Sequence, residues 1–78
     1  MSGPPVSTRS RRATFRFTAN ERRVTYLCRL DGRSWFPCRS PKSYTRLRRG
    51  PHTFRVRAID AAGKLDPTPA VRRWRIRA

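Results

Sequence analysis

The residues best placed to do chemistry in this chain are arginines at alternate positions. Arg73, Arg75 and Arg77 alternate with Trp74 and Ile76, Arg55 and Arg57 alternate with Phe54, Val56 and Ala58, and Arg29 sits between Cys28 and Leu30. Successive side chains of an extended strand point to opposite faces. Each arginine set therefore lands on one face and its apolar partners on the other. A guanidinium is a planar fork of donors that fits phosphate, sulfate or carboxylate through two bonds at once. The chemistry expected of these six residues is anion binding. A second set, Arg11, Arg12, Arg48 and Arg49, falls in connecting segments, from which long side chains can reach a bound polymer.

The charge balance supports that expectation. The 78 residues hold 20 Lys and Arg against four acids, a net charge of +16, and only Lys42 and Lys64 are Lys. Glu21, Asp31, Asp60 and Asp66 cannot neutralise so many cations. The field of such a domain concentrates polyanions and speeds their encounter. DNA, RNA, a heparin-like sulfated glycan and an anionic membrane surface all qualify as partners. Base-specific reading does not follow, because no recognition helix, zinc finger or aromatic nucleic-acid motif is present. Trp35, Phe36 and Leu27 are expected to pack within the core or hairpin rather than to stack on bases.

Other chemistries find little support. His52 is the only histidine. It has no orienting acid nearby in sequence and is expected at an exposed or turn-stabilising position. No catalytic set and no small-molecule substrate are expected, since no Ser/His/Asp or Cys/His arrangement is present and the chain is too short for a deep cleft. Asp60 and Asp66 flank a turn, but an all-oxygen calcium site needs six or more ligands. Those two carboxylates are expected to cap backbone or pair with Arg57 or Arg72, and Asp31 is expected to serve its own turn. Zinc needs four ligands, and the chain offers two Cys and a distant His52. No metal and no cofactor are therefore expected. No apolar run approaches the ~20 residues of a membrane helix, and the N-terminus has no hydrophobic core of a targeting peptide. Two Trp, two Tyr and four Phe argue against a disordered polymer.

Strands must position these residues. Alternation predicts strands over 13–18, 24–30, 52–60 and 70–77, with a short return strand starting at Ser34 and a short segment over 44–47. Asn20 to Arg23 reads as a polar turn. Asp31-Gly32 suits a tight hairpin with positive φ. Pro37 ends the return strand or confines it to a sheet edge. That hairpin brings Cys28 near Cys38. A disulfide is expected, with two free thiols as the alternative, and it implies an oxidising compartment. Residues 1–12 read as a flexible basic leader or an edge strand, and residues 13–78 as one domain. Seven prolines and the absence of helical periodicity exclude a helical fold. Six or seven short strands with regular turn signals predict an all-β, small antiparallel sandwich.

The run from Tyr26 through Cys28 to Asp31-Gly32, then Cys38-Arg-Ser-Pro41, Tyr44, Leu47, Gly50 to Ala58, Asp60-Ala-Ala-Gly63, Asp66-Pro-Thr-Pro-Ala70 and Trp74 resembles a known pattern. It looks like the bacterial Ig-like/fibronectin-III-like repeat of secreted and cell-surface proteins of actinobacterial type, over residues 4–77. Leu47, Gly50, Phe54, Val56 and Ala58 resemble the corner and following strand of the fibronectin-III fold. The resemblance implies an Ig/fibronectin-III-like β-sandwich with an intradomain Cys pair, an extracellular or cell-surface setting, no cofactor and no catalysis. Such repeats usually serve as spacers or adhesion modules.

The solvent faces depart from that pattern. Arg11, Arg12, Arg16, Arg23, Arg46, Arg48, Arg49, Arg73, Arg75 and Arg77 stand where such repeats carry neutral or acidic residues. A natural cationic variant with a polyanion partner fits this, and so does a supercharged or designed carrier. The functional expectation is a monomeric, non-enzymatic module that binds polyanions without sequence specificity. The alternative is a passive structural spacer or adhesion repeat whose charge is incidental.

Overall fold

Phe54, Val56, Trp74 and Ile76 share strands with solvent-facing arginines, so burying them requires a second layer on one side only. The computed structural model describes residues 1–18 and 24–78. Its strands are β1 (Ser7–Thr8), β2 (Ala13–Phe15), β3 (Thr25–Leu30), β4 (Phe36–Cys38), β5 (Lys42–Tyr44), β6 (Gly50–Ile59) and β7 (Ala70–Ile76). No helix occurs among the described residues. Five strands form one sheet in the order β1-β7-β6-β3-β4, and β2 pairs with β5 in a second. The fold is all-β in two sheets, an arrangement compatible with a small β-sandwich.

The core lies between the sheets. Phe15 of β2 stacks on Phe54 of β6 at 3.9 Å between ring centroids and meets Trp74 of β7 edge-on at 5.2 Å. Phe15 and Phe54 are fully buried. Each such side chain contributes roughly 1.5–3 kcal/mol of transfer free energy. Cys28, Leu30, Val56 and Ile76 complete the floor, and Tyr26 and Tyr44 pack at its margins.

The strand limits shift for identifiable reasons. The strand expected over 13–18 closes at Phe15, because the Phe17 amide donates to Ser40 Oγ at 2.9 Å instead of to a ladder partner. Lys42–Tyr44 forms the strand expected a few residues later, and Arg46, at φ 55°, turns the chain out of the ladder. β4 runs through Pro37, which pairs with Leu27. Proline is tolerated there because β4 is the sheet edge. The expected turn at 20–23, with Arg23, lies outside the described residues.

The first residues touch both sheets. Ser2 bridges to Arg16 beside β2, whereas Ser7 and Thr8 pair in parallel with Arg75 and Ile76 of β7. All other strand pairs are antiparallel. The Arg72 guanidinium holds the crossing by donating from Nε and Nη2 to the Pro4 carbonyl at 3.2 and 2.7 Å. Gly3 lies so close to Phe15 that a Cβ there would come within 2.9 Å of the ring.

The expected β3–β4 hairpin forms, but its connection is longer than a tight turn: residues 31–35 link the strands, and the return strand starts at Phe36 rather than Ser34. Asp31 takes φ 54°, and the Arg33 amide donates to the Leu30 carbonyl at 3.1 Å. Cys28 and Cys38 are joined by a disulfide. Cys28 faces Phe36 and Tyr26 faces Cys38, so the bond crosses the strand pair diagonally, within one sheet.

Candidate polyanion-binding face

The register of β3, β6 and β7 fixes where each arginine of the alternating sets sits. Cys28, Leu30, Phe54, Val56, Trp74 and Ile76 point into the core. Their neighbours Arg29, Arg55, Arg57, Arg73 and Arg75 therefore share the outer face. Arg29 stands directly opposite Arg55, and Arg57 stands opposite Leu27. Arg73 is paired with Thr53 and Arg75 with Pro51. Arg77 lies one step past β7, where its amide donates to the Thr8 carbonyl at 2.8 Å and keeps the same parity. Same-face residues of one strand lie ~6.6–6.8 Å apart and neighbouring strands ~4.8 Å apart.

Burial divides this set. Arg73, Arg75 and Arg77 are exposed, whereas Arg29, Arg55 and Arg57 are half-buried. The Nε atoms of Arg29 and Arg57 are covered and have no partner among the described residues. The Arg57 guanidinium lies over the Trp35 ring, 4.2 Å from its centroid. Both side chains are thus laid along the sheet rather than extended into water.

Arg12, Arg46, Arg48 and Arg49 are exposed near one end of the sandwich. Gly50 pairs with Ile76, which sets Arg49 and Arg77 past the same end of the sheet. Arg11 and Arg12 line a shallow cleft there with Ser10, Thr45 and Arg46. Arg11 is fixed rather than free to reach outward: its Nε donates to the Leu47 carbonyl at 2.7 Å, and the Leu47 amide returns a bond to the Arg11 carbonyl at 3.0 Å.

The three described acids, Asp31, Asp60 and Asp66, form no ion pair with these arginines. Asp60 accepts from the amides of Ala62 and Lys64 at 3.0 and 2.9 Å, and Asp66 accepts from Thr68 at 2.9 Å. Backbone capping, not pairing with Arg57 or Arg72, is their role. Asp31 accepts the Thr53 amide at 2.8 Å through Oδ1 and meets His52 Nδ1 at 2.8 Å through Oδ2. It serves the β3–β6 junction as well as occupying its hairpin. No Lys or Arg lies within ion-pair distance of a carboxylate among the described residues, and the His52–Asp31 contact is the one His–carboxylate contact there. Arg11 and Arg72 alone hydrogen-bond to the protein through their guanidiniums among those residues.

His52 takes the turn-stabilising position expected for it, bridging Asp31 and the Arg48 carbonyl, but is buried rather than exposed. It is 9% exposed and stacks on Trp74 at 5.3 Å. Its Nε2 lies 2.6 Å from the Arg48 carbonyl. Inward parity on β6 signalled the burial. The orienting acid was hidden because Asp31 reaches His52 only through the β3–β6 register. The Trp35–Arg57 stack was also missed, although extending the hairpin alternation back from Cys38 places Trp35 on the outer face.

No cluster of three or more His, Cys, Asp or Glu that could hold a metal ion occurs among the described residues. At the open side of the sandwich, burial pushes the Tyr44 phenol up, and Arg33 partly offsets it. Comparison with protein-family models, curated proteins and solved structures found no match.

Proposed function

We propose that this chain is a non-enzymatic, monomeric module of Ig/fibronectin-III-like type that binds polyanions through the outer face of its larger sheet. The observation that carries the reading is the fate of the carboxylates. Asp31, Asp60 and Asp66 are all engaged by His52 or by backbone amides. None lies within ion-pair distance of an arginine among the described residues. Among the described residues, the guanidiniums on the outer face therefore have no carboxylate partner. Like charges directly opposite each other destabilise a strand pair, and a ligand that brings negative charge relieves the repulsion.

The mechanism is electrostatic. Arginine forks engage phosphate or sulfate oxygens, and release of condensed counterions supplies most of the free energy. Nucleic acid, heparin-like glycan and anionic membrane surface share this chemistry. The disulfide suits an oxidising, extracellular or cell-surface setting. Titration with duplex DNA, heparin and anionic vesicles at two salt concentrations tests the proposal. Tight binding at low salt that weakens steeply at high salt supports it, and salt-independent or absent binding overturns it.

A further inference from the structure

We infer that the outer face accepts single-stranded nucleic acid in preference to duplex or sulfated glycan, with bases stacking at Trp35 and phosphates lying along β6 and β7. This inference rests on the polyanion reading above. The face has two chemical halves. Its β7 side presents Arg73 and Arg75, both exposed. Its β4 side presents Trp35, which is partly exposed, with Leu27 lying between Pro37 and Arg57 in the register.

The Arg57 guanidinium over the Trp35 ring at 4.2 Å joins the two halves. Unstacked bases pack on aromatic rings and on guanidinium planes alike. Cationic tracks with interleaved aromatic rings are the general solution for sequence-tolerant binding of single strands. Two strand spacings separate the β6 arginines from the β4 margin, about 10 Å. A nucleotide whose phosphate sits at Arg55 can therefore lay its base toward Trp35. A duplex keeps its bases inside the stack, and a sulfated glycan has no aromatic face. Either would leave the Trp35 side unused.

Charge density alone predicts the opposite order, because duplex DNA carries twice the charge per unit length of one of its strands. The test uses oligothymidylate of about 12 nucleotides, the duplex of the same length, and heparin, at one salt concentration. Trp74 is only 3% exposed, so a ligand-induced change in tryptophan fluorescence reports Trp35. The single strand is expected to bind tightest and to quench that fluorescence. Trp35→Ala should lower its affinity roughly five- to a hundredfold while heparin binding changes by less than about twofold, since no charge is lost. Trp35→Phe should recover most of the loss, and Arg57→Lys should weaken the single strand while keeping its salt dependence. Tighter binding of duplex or heparin, or an equal loss for all three ligands in Trp35→Ala, overturns this inference and leaves the polyanion reading standing. Failure of all three ligands to bind overturns both.

Discussion

Arg29 and Arg55 face each other directly across β3 and β6, and neither has a carboxylate partner among the described residues. This is the point of greatest charge crowding that the register creates. Cross-strand pairs are worth about 0.2–1 kcal/mol, and like charges in such a pair oppose folding. Arg55→Thr removes one of them and places a strand-favouring residue on the face. Its melting temperature should rise by a few degrees at low salt, at about 4–8 °C per kcal/mol for a domain of this size. The gain should shrink as salt screens the pair. A lower melting temperature than the parent at low salt contradicts the picture of crowded, uncompensated arginines.

The disulfide closes a loop with a sequence separation of 10. Loop-closure entropy then contributes about 2–3 kcal/mol. Reduction should add the mass of two hydrogens and lower the melting temperature by roughly 10 °C or more. The hairpin turn itself needs no disulfide, so the reduced chain should still fold at low temperature. An intact mass unchanged by reductant rules out the Cys28–Cys38 bond.

His52 and Asp31 should act as one unit. Their 2.8 Å contact ties the β3–β4 turn to β6, and the Arg48 carbonyl adds a third point. His52→Phe leaves Asp31 and that carbonyl without their partner, a loss of about 1–3 kcal/mol. Asp31→Ala should cost a similar amount, because the Thr53 amide also loses its acceptor. The double variant should be less destabilised than the sum of the two single changes. Strict additivity in denaturant titrations shows that the pair does not interact.

Much of the layer structure was legible in alternation. Phe54, Val56, Trp74 and Ile76 are spaced two apart, and that period alone assigns arginines to water and aromatics to the core. Asp31-Gly32 likewise announced the hairpin that brings Cys28 to Cys38. The burial of His52 and the outward place of Trp35 were readable from the same alternation, but register was not legible, and the cross-strand partners depend on it. His52 meets Asp31 because Leu30 pairs with Phe54, and Arg29 meets Arg55 one step along the same ladder. The parallel pairing of Ser7 with Arg75 joins residues 68 apart in the chain. Local pattern carries no information about such distant partners. The same holds for Arg11, whose bond to Leu47 takes it out of the set free to reach a polymer.

In the proposed mechanism, counterion release at the outer sheet face drives polyanion binding. The salt dependence of duplex DNA affinity, compared between the parent and a triple variant, Arg73→Ser, Arg75→Ser and Arg77→Ser, measures that release. These three side chains are exposed and make no hydrogen bond to the protein among the described residues, so the variant should keep its melting temperature or gain slightly. If about five phosphates are neutralised, log affinity should fall against log salt with a slope near −4.5 in the parent, and the variant should flatten it by roughly two to three units. A parent slope near zero contradicts the electrostatic account and favours a passive spacer whose charge is incidental, and a folded triple variant whose slope matches the parent's contradicts the sheet-face mechanism.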